Sequence, residues 1–167
     1  DPNKAIDPGL IYDAGFLDYL AATCDTVSPL VDPGTCEFLG SGLGFSTDPA
    51  DLNLPAIGIG ELPGTKTIIR TVTNVGKNSI YEAYVEAPEG FEVTVSPSRL
   101  ALKKGETATF EVTISNVTAP PNTWRFGSLT WKDRKGRYEI RSPIAVSAKT
   151  FVAPPEVFGA GSEGSAE

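Results

Sequence analysis

From Ala56 onward the apolar residues of this chain recur at every second position in short runs, and glycine, proline and asparagine break the runs. Such alternation gives an extended segment one dry face and one wet face, and it leaves a helix no continuous stripe to bury. Tyr81, Ala83 and Val85 alternate with Glu82, Tyr84 and Glu86, and Phe91, Val93 and Val95 alternate with Glu92, Thr94 and Ser96. The same pattern holds for Leu100 and Leu102, for Phe110, Val112 and Ile114, for Leu129 and Trp131, and for Tyr138 and Ile140 followed by Ile144 and Val146. With residues 66–74 and a short first strand over 56–59, seven or eight strands fit into about 95 residues.

Turn chemistry falls between the runs, at residues 88–90, 96–98, 103–105, 119–122 and 133–136. The spacing leaves no room for crossover helices, so the expected fold is all-β: an immunoglobulin or fibronectin type III-like antiparallel sandwich over 54–150. Trp124, Trp131 and the tyrosines are read as core or corner residues. Residues 1–53 differ. Prolines 2, 8, 29, 33 and 49 and glycines 40, 42 and 44 forbid long elements. An irregular N-terminal extension with one short helix is expected there, over 13–23, with Asp13 as its cap and Phe16, Leu17 and Leu20 on one stripe. Residues 151–167 read as a flexible Gly/Ser-rich tail.

The chain has no histidine and no methionine. Without imidazole, the usual activated serine or cysteine nucleophile has no base, and most zinc or iron sites lose a ligand. The missing methionine and the opening DPNKAIDPG fit a processed chain or a piece of a longer one. No calcium loop, phosphate-binding glycine loop or metal cluster stands out, so no cofactor is expected. Asp48 with Asp51, or Asp13 with Asp18, are the carboxylate pairs a self-contained hydrolase would need, and caps and turns account for them equally well. The net charge of −7 argues against a nucleic-acid partner, and no apolar run approaches the roughly 20 residues of a membrane helix. Residues 98–141 nevertheless hold nine basic and four acidic side chains, against five basic and seventeen acidic elsewhere. Solvent-facing strand positions explain that surplus, and a docking face for an acidic partner is the second reading.

Cys24 and Cys36 are too few for a zinc site without histidine, and their spacing is not that of a redox pair. A disulfide is expected, two buried thiols being the alternative. Asn116 begins the sequon Asn-Val-Thr, which a secreted protein can use for glycosylation and which also arises by chance. An oxidising, extracellular location follows from the disulfide.

Six separated strings stand in a familiar order: DPNKAIDPGLIYDA (1–14), a short helix ending at a cysteine, DLNLPAI (51–57), RTVTNVG (70–76), YVEAPEGFEVTVSP (84–97) and FGSLTWKDRKGRYEIRSPIAV (126–146). Together they resemble the C-terminal region of subtilisin-like serine proteases of the plant-type subtilase group, over residues 1 to about 150. The usual DLNYPSI string reads here with Leu54 and Ala56. The resemblance implies a fibronectin type III-like domain downstream of the peptidase domain, with the catalytic aspartate, histidine and serine all outside the matching region. It therefore implies no catalytic residue in this chain, a secreted endopeptidase as parent, and the peptidase domain of that parent as partner. On this reading residues 1–53 are the connector that follows the peptidase domain. Ile6, Leu10, Ile11, Tyr12 and Phe16 are expected to dock on it, stabilising it and bordering its substrate cleft. The scaffold strings carry their own logic: RTVTNVG is a β-branched strand ended by Asn74 and Gly76, residues that tolerate positive φ. The alternative is a free-standing adhesion or carbohydrate-binding sandwich with Trp124, Tyr84 or Tyr138 as sugar platforms.

Overall fold

The computed structural model describes residues 6–26 and 28–150. The Gly/Ser-rich tail expected at 151–167 lies outside the described residues. Among the described residues nine strands form two sheets. The first orders β1 (Leu10–Ile11), β3 (Thr65–Asn74), β7 (Thr107–Asn116) and β5 (Phe91–Ser96). The second orders β2 (Ile57–Leu62), β9 (Glu139–Ala148), β8 (Trp124–Asp133), β4 (Ser79–Glu86) and β6 (Arg99–Leu102). Every pairing is antiparallel except β2 with β9, which run parallel at the edge of the second sheet. No crossover helix is needed for that pair, because the chain between them is the rest of the sandwich.

The alternation read from the sequence sets which side chains meet between the sheets. Ile68 and Val72 of β3 and Phe110, Val112 and Ile114 of β7 face Tyr81, Leu100, Leu129, Trp131, Ile144 and Val146 of the second sheet. Phe110 meets Trp131 edge-on with ring centroids 5.1 Å apart, the arrangement aromatic quadrupoles favour. The core is closed at one end by Tyr138, which lies 6.3 Å from Tyr81.

Two polar residues, Arg70 and Asn74, occupy inward positions of β3, in step with Ile68 and Val72, and both are buried. Each is fully used. The Asn74 amide donates to the carbonyls of Lys77 and Leu102, both at 3.1 Å, while its oxygen accepts the Gly76 N–H and the Tyr81 hydroxyl. Gly76 is not a positive-φ residue, and neither is Asn74. The requirement at Gly76 is space: a Cβ there would stand 2.7 Å from Cζ of Tyr138. Gly9 meets both demands, with φ +80° and a Cβ position 2.6 Å from the same ring. Tyr138 is thus gripped between two glycines, and its hydroxyl accepts the Lys77 N–H at 3.1 Å and donates to Asp7 at 3.2 Å.

The N-terminal region joins the first sheet of the sandwich. β1 pairs with β3, Leu10 opposite Asn74 and Ile11 opposite Thr73, and Leu10 belongs to the sandwich core. Its helices are short. α1 (Phe16–Ala21) starts later than the pattern suggests, capped at Gly15, whose N–H is held by Asp18 at 2.8 Å. Asp13 instead accepts from Thr73 Oγ1 at 2.8 Å. A second helix, α2 (Pro33–Glu37), runs on through a wider turn over Phe38–Gly42. Proline at its first turn and the cap of Asp32, which accepts the Thr35 N–H at 3.1 Å and the Thr35 hydroxyl at 2.6 Å, explain why it starts there.

Candidate docking surface

The connector meets the sandwich through a polar clamp built from two of the strings noted above, DLNLPAI and RTVTNVG. The Arg70 guanidinium donates to the carbonyls of Leu54 at 3.1 Å, Ile69 at 2.9 Å and Ala50 at 2.7 Å. Burial pulls its pKa down, opposed by the charges of Asp51, the Tyr12 phenol and Asp48. A guanidinium stays charged through such a shift, so it is held by three carbonyl dipoles and two nearby carboxylates. Because Leu54 contributes its carbonyl, the missing tyrosine and serine hydroxyls of the usual string cost this clamp nothing. Asp48 pairs with Lys66 and accepts the Ala50 N–H at 2.8 Å. Burial pushes the Asp48 carboxyl up, but the bonds from Lys66 and Ala50 and the charges of Lys66 and Arg70 outweigh it and leave it below the usual range. Tyr12 bridges the sheets, its hydroxyl 2.8 Å from Ser142 Oγ, and burial raises its phenol.

These bonds correct two of the docking assignments. Leu10, 3% exposed, is turned into the protein's own sandwich and is not available to a neighbour, and Tyr12 is half-buried against the same core with its hydroxyl on Ser142. The alternation that makes Leu10 apolar is satisfied by β3, which no local signal in the sequence predicts. Ile11 is half-buried, whereas Ile6 and Phe16 are 83% and 75% exposed.

Beyond the clamp, α1 and α2 form a small unit of their own. Cys24 and Cys36 are joined, with Cα atoms 5.7 Å apart, and Thr47 Oγ1 donates to Asp25 at 2.7 Å. Ala21, Ala22 and Leu39 are buried in it and stand apart from the sandwich core. Six of its large apolar side chains point outward: Phe16, Leu17, Tyr19, Leu30, Phe38 and Leu43 are all exposed. Such a concentration of exposed apolar surface is unusual for a free-standing domain. The sequence reading found Phe16 but not Leu30, Phe38 or Leu43, because the glycine-rich run around 40–44 gave no periodicity to follow.

Elsewhere, Trp131 and Tyr138 are buried as read, but Trp124 is half-exposed on the outer face of β8 together with Phe126, and Tyr84 is half-exposed on β4. Trp124 escapes the core because it shares the outward parity of Phe126, Ser128 and Thr130, and its ring lies over Gly60 at 3.7 Å from the glycine's Cβ position. Each of the candidate carboxylates has a structural partner: Asp51 accepts from Ser46 at 2.9 Å, Asp48 binds Lys66, Asp13 binds Thr73 and Asp18 caps α1. Among the described residues no group of three or more His, Cys, Asp or Glu side chains is arranged to hold a metal ion. Asn116 ends β7 with its amide bonded both ways to Ala119, donating to the carbonyl at 3.2 Å and accepting the N–H at 2.9 Å.

Two stacked sheets, a buried arginine clamp and a disulfide-closed appendage with exposed apolar side chains define a β-sandwich module. The family model described as the Fibronectin type-III domain matches residues 51–146, and the chain belongs to that family. It is 36% identical over 155 residues to the subtilisin-like protease SBT3 of Solanum lycopersicum, across 88% of this chain and 20% of that protein. It is 38% identical over 152 residues to SBT3.1 of Arabidopsis thaliana, across 87% of this chain and 20% of the relative. Among solved structures, a secreted serine protease VesC from Vibrio cholerae superposes on 55% of the chain and 21% of its own at a TM-score of 0.40 and 15% identity, too slight a likeness for any argument. The chain spans about a fifth of the length of the curated relatives it matches. It corresponds to the C-terminal fibronectin-like region of the subtilisin-like proteases, and it is not their catalytic domain. No helix among the described residues is long and apolar enough to cross a membrane.

Proposed function

We propose that this chain is the accessory region of a secreted subtilisin-like endopeptidase, and that it stabilises the peptidase domain of the same protein through the disulfide-closed unit, bordering the substrate cleft. One observation carries the proposal. Of the large apolar side chains exposed among the described residues, seven of twelve lie between Ile6 and Leu43, in the part of the chain that folds outside the sandwich core. Ile6 and Phe16 keep their expected docking role, joined by Leu30 and Phe38, while Leu10 and Tyr12 anchor the unit to the sandwich. In this division, 6–53 is a docking unit clamped to the sandwich of 54–150. A surface that binds only the folded state of its neighbour raises that neighbour's stability by mass action. The test is co-expression of the chain with the peptidase portion of its parent. The reading expects greater heat resistance of the peptidase with the chain present and loss of that gain in the double variant Phe16→Ser, Phe38→Ser. Peptidase activity in the chain alone, or an undiminished gain with the variant, overturns it.

A second reading rests on Trp124 and Phe126, which place two exposed aromatic rings at alternate positions of β8. A sugar-binding sandwich would use Trp124 in that setting, but Tyr138 is buried and unavailable to it. Retention on insoluble polysaccharide, lost with Trp124→Ala, would favour this reading over the first.

A further inference from the structure

The basic surplus of residues 98–141 has a location. Lys103, Lys104, Arg134 and Lys135 gather at one end of the second sheet, where β6 ends, β4 begins and β8 turns into β9. A groove of about 750 Å³ opens there, its apolar lining made by Ile80, Ala101 and Leu102 and its cationic side by Lys103, Arg134 and Lys135. The groove's two acids are already engaged: Glu106 lies 3.7 Å from Lys103, and Asp133 is bound by Arg137 at 2.8 Å. Arg134 is paired with Glu82 at 3.1 Å, whereas Lys104 and Lys135 form no ion pair among the described residues. This cationic end belongs to a chain whose first 53 residues carry nine acidic side chains and one basic one.

The same place has an open strand edge. Among the described residues β6 is outermost in its sheet and pairs with β4 alone. The bond from Ala83 N–H to Ser98 O fixes the register, so Tyr81 with Leu100 and Ser79 with Leu102 are the hydrogen-bonded pairs. The backbone N–H and C=O groups of Arg99 and Ala101 therefore face away from β4. Cations on an edge discourage pairing with a neutral strand, and they attract an acidic one.

We propose that this edge and groove bind an extended acidic peptide: one stretch is added as a strand beside β6 over Ala101 with a carboxylate against Lys103, and the residues that follow turn across the groove past Ile80 and set a second carboxylate against Lys135. Backbone pairing supplies affinity and the lysines supply choice of partner. A labelled synthetic peptide alternating Glu and Val is titrated into the chain at low and high salt, read by fluorescence anisotropy. Saturable, salt-weakened binding is expected, reduced about fivefold by Lys103→Glu and by Lys135→Glu singly and abolished by the pair. Both side chains are exposed, so near-ultraviolet dichroism confirms that the variants are folded, and Lys149→Glu at the opposite end controls for net charge. Methylating the probe's backbone nitrogens should abolish binding. Equal binding of the methylated probe or of an anionic polysaccharide overturns the proposal. So does loss of concentration-dependent self-association in Lys135→Glu without any probe binding, which would assign the groove to a second copy of this chain.

Discussion

The carboxamide of Asn53 stands beside Thr71 as a neighbouring strand would. Its Nδ2 donates to the Thr71 carbonyl at 2.9 Å while its Oδ1 accepts the Thr71 N–H at 2.9 Å. A further bond from Nδ2 to the Asp13 carbonyl at 3.0 Å ties in the entering chain. One side chain thus extends the edge that β1 covers at Thr73 and Asn74, and Asp51 reaches the next free N–H, that of Ile69, at 3.4 Å. An exposed edge of β3 is closed without a full strand.

Asn53→Ala should lower stability by about 1–3 kcal/mol, because it leaves the N–H and C=O of Thr71 without protein partners. Arg70→Lys should cost a similar amount or more, since an ammonium cannot reach the carbonyls of Ala50, Ile69 and Leu54 together. Urea midpoints measure both. An unchanged midpoint for Asn53→Ala would show that water replaces the clamp at no cost.

Gly76→Ala should destabilise the sandwich by roughly 1–3 kcal/mol through the collision of its Cβ with the Tyr138 phenol. Tyr138→Leu alone removes the phenol's bonds to Lys77 and Asp7 and loses core volume. Combined with Gly76→Ala it should cost less than the two singles added, because the colliding tip is gone. Strict additivity in the cycle would mean that the ring is not the obstacle at residue 76.

The strands of the sandwich were legible because their inner and outer faces differ in polarity at period two, and the 133–136 hairpin because Asp133 and Gly136 carry turn chemistry. The clamp was less legible. Parity with Ile68 and Val72 places Arg70 and Asn74 inside β3, but only tertiary contacts with Ala50, Leu54 and Leu102 make those positions tolerable for polar groups. β1 escaped notice because a two-residue strand has no period, and its partner lies some sixty residues away. Trp124 was misplaced for the opposite reason: its residue type suggested the core while its parity with Phe126 already put it outside. The disulfide-closed unit is held by Cys24–Cys36 and caps rather than by a periodic stripe, so the outward side chains of Leu30, Phe38 and Leu43 left no pattern.

The two tryptophans should therefore behave differently. Trp131→Ala should cost about 3–5 kcal/mol, the range for emptying a packed aromatic site, and should strip Phe110 of its edge contact. Trp124→Ala should stay within about 0.5 kcal/mol, as surface substitutions do. Acrylamide should quench the emission of native Trp131→Phe, which retains Trp124, far more than that of native Trp124→Phe. Equal quenching would contradict the placement of one ring inside and one outside.

Acid should reveal the carboxylate of Asp133. It is buried at the end of β8 and accepts from the Arg137 backbone N–H at 3.2 Å and from the Arg137 guanidinium at 2.8 Å, with the Ser79 hydroxyl on its other oxygen. The Arg137 hydrogen bond is the main cause holding its carboxyl below the usual carboxylate range, against burial, which pushes it up. A folded pKa below the unfolded one means that the unfolded chain binds more protons through that window, so stability falls as the pH drops. The contribution is fully present above the ordinary aspartate value of about 4 and is lost as the pH falls through the depressed one. Asp48, depressed by Lys66, acts in the same direction. Asp133→Asn should be less stable than the natural chain at neutral pH, and the gap between their urea midpoints should narrow as the pH is taken below about 4. A gap that stays constant down to the acid limit would mean that the charge on Asp133 contributes nothing to the folded state, and that its hydrogen bonds to Ser79 and Arg137 act without it.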